Sequence, residues 1–244
     1  MKLSVKLLTL ALVAVPAVPA IAAVTAAPAP TTVARYTFDG GNVAGRVASN
    51  STRSGPLRIR GVNGGTVRFF PKSGGGRYIG FPPRCTTATT ACPRALLEAA
   101  DDADLDPGTR NFRWGASVYV KKYQLRGSAN VMQKGVVSTE SQWKLQIGAN
   151  LGKAHCVVVG RGSAVTYLVR SSVDVADGRW HRVMCLRTST QLTVFVDGMR
   201  RGSVAVPASL SISNNLPVRI GGPNFSPSSD MYHGFLDDAY AALG

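Results

Sequence analysis

The segment Phe112-Arg113-Trp114-Gly115-Ala116-Ser117-Val118-Tyr119-Val120 alternates along its length, with Phe112, Trp114, Ala116, Val118 and Val120 on one parity. Successive side chains of a strand point to opposite sides of a sheet, so the segment reads as a half-buried strand with Tyr119 on the open side. The same period recurs on both sides of it. Trp143, Leu145 and Ile147 alternate with Lys144 and Gln146; Leu192, Val194 and Val196 alternate with Thr193, Phe195 and Asp197; Leu57 and Ile59 alternate with Arg58 and Arg60. Turn signals such as Asn63-Gly64-Gly65, Asp177-Gly178 and Asp197-Gly198 separate these runs, because glycine accepts the positive φ that tight turns need. Many short strands punctuated by polar turns predict an all-β, antiparallel sandwich. The single helical candidate is Pro93-Arg94-Ala95-Leu96-Leu97-Glu98-Ala99-Ala100, where a leading proline and Ala/Leu/Glu content favour a short helical turn.

The N-terminus carries Lys2 and Lys6, then an apolar run ending in small residues around Val24-Thr25-Ala26. That layout predicts a secretory signal peptide over residues 1–26, a short linker over 27–34, and one folded domain over 35–244. Pro16, Pro19 and the Ala-Pro repeats near Ala27 disfavour a continuous membrane helix, so no stable membrane insertion is expected after cleavage. Loss of Lys2 and Lys6 from 28 basic residues leaves 26 against 13 acidic ones, a net charge of +13. Such a charge favours anionic partners, among them acidic glycans and cell-wall polymers. No dense Lys/Arg run is present, and nucleic acid is not expected. Four cysteines behind an export signal read as two disulfides, which admit three pairings. Cys85 and Cys92 bracket a six-residue Thr/Ala loop that closes locally, which leaves Cys156–Cys185 as the second bond.

Three further segments carry a family resemblance. Asp177-Gly178-Arg179-Trp180-His181-Arg182-Val183, continuing to Val196-Asp197-Gly198, resembles the D-G-x-W-H-x-V strand and V-D-G turn of laminin G-like domains in the concanavalin A-like lectin/glucanase superfamily. Leu105-Asp106-Pro107-Gly108 leading into the Trp114 strand, and the closing Gly234-Phe235-Leu236-Asp237-Asp238, are similar to the same family, with a weaker match at Tyr36-Thr37-Phe38-Asp39. The resemblance implies a jelly-roll β-sandwich. It also implies a calcium site at the sandwich rim, which maps onto Asp39 and Asp237, with Asp238 as the alternate acid and Asn50 as a neutral oxygen. Where relatives show D-x-S-G, this chain reads Asn50-Ser51-Thr52-Arg53-Ser54-Gly55; one negative charge is lost and Arg53 is added, and both changes weaken cation binding. Trp180 is expected to pack on the core beneath its turn, and His181 to make a structural hydrogen bond.

The glucanases of this superfamily place acids at alternating strand positions, which sets nucleophile and acid on one sheet face. This chain has two glutamates, Glu98 and Glu140, and neither belongs to such a pattern. No G-x-S-x-G, phosphate-binding or dinucleotide motif occurs. The expected function is a secreted, non-catalytic module that binds carbohydrate or an anionic, glycosylated surface, with Arg58, Arg60 and Tyr119 as candidate contact residues. The alternatives are a cell-envelope component that docks to a protein partner, and an enzyme that pairs Glu140 with an acid from residues 101–106.

Overall fold

The computed structural model describes Met1 and residues 29–244 other than 52, 88, 137, 139, 140, 149 and 150; apart from Met1, the signal peptide expected over residues 1–26 lies outside the described residues. Sixteen strands follow in chain order. They are β1 (Thr31–Tyr36), β2 (Arg46–Val47), β3 (Leu57–Val62), β4 (Arg68–Pro71), β5 (Arg77–Gly80), β6 (Arg94–Ala99), β7 (Phe112–Lys121) and β8 (Ser128–Val136). The second half comprises β9 (Ser141–Gly148), β10 (Lys153–Val159), β11 (Thr166–Asp174), β12 (Asp177–Arg187), β13 (Gln191–Val196), β14 (Met199–Ala205), β15 (Val218–Ile220) and β16 (Phe235–Leu243). They form two antiparallel eight-stranded sheets stacked as a jelly-roll β-sandwich. Sheet A runs β14-β13-β12-β7-β16-β5-β4, with β1 also paired to β16; sheet B runs β11-β10-β9-β8-β15-β6-β3-β2.

The interior is made of the residues that alternation assigns to it. Trp114, Val118, Val183 and Leu236 of sheet A face Leu57, Leu97, Trp143 and Leu145 of sheet B, all essentially inaccessible. Phe112 and Trp114 meet Trp143 across the gap, with ring centroids 5.3 and 5.8 Å apart. The indole of Trp143 donates to the Leu105 carbonyl at 2.9 Å, so its polar edge is satisfied at no cost to the core. Disulfides join Cys85 to Cys92 and Cys156 to Cys185. The second links β10 of sheet B to β12 of sheet A and ties the two layers together through the core.

Two expectations are corrected. Residues 93–100 do not form a helical turn: they contain β6, which pairs with β15 on one side and β3 on the other. Five of its six residues are buried. A lone helical turn is poorly nucleated, and its intrinsic preference of a few tenths of a kcal/mol is outweighed by two ladders of hydrogen bonds and burial on both faces. Residues 31–34 are not linker: β1 begins at Thr31, pairs with the last strand, and buries Val33 and Ala34.

Candidate functional site

Parity decides which side chains leave the core and become available for binding. On sheet A, Val183 and Cys185 point inward, so Trp180 takes the outward parity and stands opposite Tyr119 of β7. Tyr119 in turn stands opposite Phe235 of β16, and Phe235 opposite Gly80 of β5. Phe70 and Tyr78 lie opposite each other on the β4–β5 hairpin. The outer face of sheet A therefore carries five rings in contact. Centroid separations are 5.8 Å for Trp180–Tyr119, 5.5 Å for Tyr119–Phe235, 5.3 Å for Trp180–Tyr78, 5.2 Å for Tyr78–Phe235 and 5.3 Å for Phe70–Phe235. Gly80 makes room for them, since a Cβ there would come within 2.8 Å of both Phe70 and Phe235. Trp180, expected in the core, is instead 42% exposed. Continuing the alternation back from Val183 would have placed it outside.

Past Phe70 and Phe235 the surface opens into a cleft of about 670 Å³, walled by Arg68, Arg84, Tyr123 and His233. Tyr123 is 69% exposed, and neither arginine makes an ion pair with a described residue. At the other end of the row His181 sits between two carboxylates, with Nδ1 2.8 Å from Asp197 and Nε2 3.1 Å from Asp177. Burial alone would lower its pKa, but these two partners outweigh it and hold the imidazole above its ordinary value. Asp197 also accepts the Arg182 amide at 2.8 Å. Asp197 and Gly198 adopt φ of 53° and 78° at the β13–β14 turn, a left-handed pair that glycine makes inexpensive. His181 is thus a structural hub beside the aromatic row, as the sequence predicts.

The outer face of sheet B is of another kind. Leu57 and Ile59 turn inward and Arg58 and Arg60 outward, so both arginines lie here, on the opposite side of the sandwich from Tyr119. The three candidate contact residues do not converge on one site. Arg60 approaches Glu98 at 3.8 Å, and Arg219 holds the same carboxylate at 2.9 Å. The register continues across the sheet from Arg58 and Glu98 through Arg219 and Gln133 to Lys144 and Val157.

The residues mapped as calcium ligands separate into three groups. Asp39 and Asp237 do come together, but around the ammonium of Lys72, which lies 2.9 Å from Asp39 Oδ1 and 3.0 Å from Asp237 Oδ2. Asp39 Oδ1 also accepts the Arg77 amide at 2.9 Å. Asn50 Oδ1 is turned to the Thr37 amide at 2.9 Å, and Asp238 pairs with Arg35 at 3.4 Å. The hydrogen bond from Lys72 holds Asp39 below the usual carboxylate range; Asp237 is raised, because burial outweighs the same ammonium. This donor set does not fit a divalent cation. A hard cation needs several convergent oxygens, and here the two that converge are already bridged by a positive charge. Among the described residues no cluster of three or more His, Cys, Asp or Glu side chains could hold a metal.

The acidic segment after β6 is equally committed. Lys134, with no solvent exposure, contacts Asp101 at 2.9 Å and Asp106 at 2.5 Å, and Asp102 caps the Asp104 amide. Those carboxylates neutralise a buried lysine whose alternative would be an unpaired interior charge. Glu140 lies outside the described residues.

The geometry is that of a lectin-like β-sandwich, and comparison with known proteins places it. The chain belongs to the laminin G type (Laminin_G_3) of the concanavalin A-like lectin/glucanases superfamily, whose model matches residues 99–241. No curated protein matches the sequence. Among solved structures it is similar to domain 4 of AbnA, a GH43 extracellular arabinanase from Geobacillus stearothermophilus, in complex with arabinotriose. The TM-score is 0.65 at 16% identity, over 88% of this chain and 93% of that one. It is also similar to the binding domain of Botulinum neurotoxin DC in complex with SialylT (TM-score 0.61, 8% identity, 87% of this chain and 48% of that one). The binding domain of Paraclostridial Mosquitocidal Protein 1 gives 0.60 at 12% identity, over 87% and 48%. The chain spans nearly all of the first structure and about half of the two toxin domains, and at these identities the likeness concerns the fold.

Proposed function

We propose that this protein is a secreted, non-catalytic carbohydrate-binding module whose sugar-facing surface is the aromatic row on sheet A. The observation that carries the proposal is the contact among Trp180, Tyr119, Tyr78, Phe235 and Phe70 on an outward sheet face. A sugar ring offers one face of C–H groups and an edge of hydroxyls. Aromatic faces take the first, and polar groups beside them take the second. Arg68 and Tyr123 in the adjoining cleft supply hydrogen-bonding groups next to the rings. Two structural neighbours support the class of ligand, since one was solved with arabinotriose and the other with SialylT. Two disulfides are compatible with an extracellular location. Of the acids that the sequence offered as partners for Glu140, Asp101 and Asp106 are bound to Lys134, which favours binding over catalysis.

The test is affinity electrophoresis against a panel of soluble arabinans, glucans and xylans, with Trp180→Ala beside the unmodified protein. Retardation by at least one polymer, reduced about tenfold or more in the variant, supports the reading; an anchoring aromatic is worth about 2 kcal/mol or more at such a surface. Retardation by none of them, or equal retardation of both proteins, overturns it. Co-purification of a protein partner that Trp180→Ala releases would favour the docking alternative, since an exposed aromatic patch also suits a protein interface.

A further inference from the structure

Sheet B carries a pocket of its own, about 350 Å³, at the ends of β8, β9, β10 and β11. Its polar side chains are Ser128, Lys153, His155 and Arg170. That volume lies at the lower end of the range of about 300–1,000 Å³ typical of small-ligand sites.

The hydrogen bonds behind the pocket fix what it presents. Gln146 directs its amide nitrogen at both His155 Nδ1, 3.3 Å away, and Ser128 Oγ, 3.2 Å away. The amide thus ties the imidazole and the hydroxyl together behind the pocket. Lys153 and Arg170 make no ion pair or side-chain hydrogen bond among the described residues, and neither does the neighbouring Lys144. Lys153 and Arg170 therefore offer unpaired hydrogens to the pocket, beside the ring of His155 and the hydroxyl of Ser128. The nearby carboxylates are Asp230, which accepts the Ser128 amide and faces Lys144, and Asp174, which lies opposite Lys153 in register and is paired with Lys122; Lys122, Lys144, Lys153 and Arg170 against these two acids leave a balance of two positive. Gly148 keeps the imidazole in place, because a Cβ there would come within 2.5 Å of the His155 ring.

A pocket of donors with surplus positive charge selects an acceptor-rich anion. We infer that it is a second subsite of the module, which takes the carboxylate of an acidic sugar unit through Lys153 and Arg170, with His155 and Ser128 beside them. The assignment of a sugar rests on the carbohydrate-binding reading above; the assignment of an anion does not. Burial, together with Arg170, Lys144 and Lys153, lowers His155 to about 4, so the ring is neutral at physiological pH. A bound carboxylate offsets those cations and must raise the pKa of His155, which gives the site a local spectroscopic reporter.

The experiment is an NMR titration of the His155 ring signals with trigalacturonate, arabinotriose and inorganic phosphate, on the unmodified protein and on a Lys153→Ala/Arg170→Ala variant. Trigalacturonate is expected to shift the signals at low salt and raise the His155 pKa, and the double variant to weaken the effect about tenfold or more. Arabinotriose is expected to leave the ring unchanged. Absence of a His155 response to millimolar trigalacturonate, or an undiminished response in the variant, overturns the subsite. Phosphate binding as tightly as trigalacturonate overturns the sugar assignment. Trp180→Ala separates this outcome from failure of the main reading, because it removes the aromatic row and leaves the His155 response intact.

Discussion

The two outer faces of the sandwich share a core and little else. The outer face of sheet A presents five touching rings; His181, next to Trp180 but on the inward parity of Val183, is held between Asp177 and Asp197 near the start of β12. Sheet B presents amides and cations, with His155 among Lys144, Lys153 and Arg170. The same residue type is pushed in opposite directions at two places, upward by carboxylates near the start of β12 and downward by burial and cations on the outer face of sheet B. A sandwich needs apolar side chains only at its inward positions. The outward parity is free to differ, and here it separates ring stacking from anion recognition.

The largest test removes the covalent tie between the faces. Cys156→Ala combined with Cys185→Ala opens a loop of 29 residues between β10 and β12. The expected loss is about 3–4 kcal/mol, read from urea midpoints. The Cys85→Ala/Cys92→Ala pair, with a separation of 7, is expected to cost less, since a shorter loop loses less entropy when crosslinked. Equal losses would mean that the cross-sheet bond does not help to hold the two layers in register.

A smaller change acts on one face alone. Gly80→Ala puts a methyl group within 2.8 Å of the Phe70 and Phe235 rings. Moving the rings costs about 1–3 kcal/mol and disturbs the aromatic row. Glycan retardation should fall with it, while the His155 response to trigalacturonate stays as it was. A variant as stable and as strongly retarded as the parent would show that the rings do not act as one surface.

How legible each face was in the sequence follows from the same parity. Period two sufficed for the inward set, so Trp114, Trp143 and Leu145 could be read directly. It also sent Arg58, Arg60 and Tyr119 outward, but it could not say that Tyr119 belongs to the other sheet, because strand order is a long-range property. Phe70, Tyr78 and Phe235 were not found as partners of Tyr119 for the same reason: they come from strands far apart in the chain. Trp180 was misplaced by reading its turn rather than its parity. β6 was read as helical because alanine, leucine and glutamate favour helices locally, and the two flanking strands that overrule them come from elsewhere in the sequence. The pocket around His155 left little sequence signal: Lys153 precedes it by two residues on β10, but Ser128 and Arg170 meet it only through pairing.

Acid titration sets the two histidines against each other. His155 is lowered from 6.5 to about 4, so between those values the unfolded chain binds the extra proton, and this residue makes stability fall as the pH drops through that window. His181 is raised above 6.5, so its contribution is complete below 6.5 and is lost as the pH rises through its folded value. Urea midpoints across this range should therefore respond in opposite senses to His155→Gln and His181→Gln. The first variant flattens the acid-side decline, and the second removes a decline on the neutral side. Curves that both variants shift in parallel would argue that the two environments are not distinct.

The smallest expected effect concerns the rim, where Lys72 bridges Asp39 of the loop after β1 and Asp237 of β16. With an ammonium between the two carboxylates, the protein should melt at the same temperature in calcium and in chelator. Lys72→Ala removes the bridge and leaves two facing carboxylates, one of them buried. A partly exposed ion pair of this kind is worth about 1 kcal/mol or less, so the variant should be only slightly less stable. Its carboxylates are then free to take up a divalent cation, and millimolar calcium should restore part of the loss in the variant and do nothing to the parent. A calcium-dependent rise in the melting temperature of the unmodified protein would mean that the oxygens of Asp39 and Asp237 bind metal despite Lys72, and the rim would have to be assigned to cation binding after all.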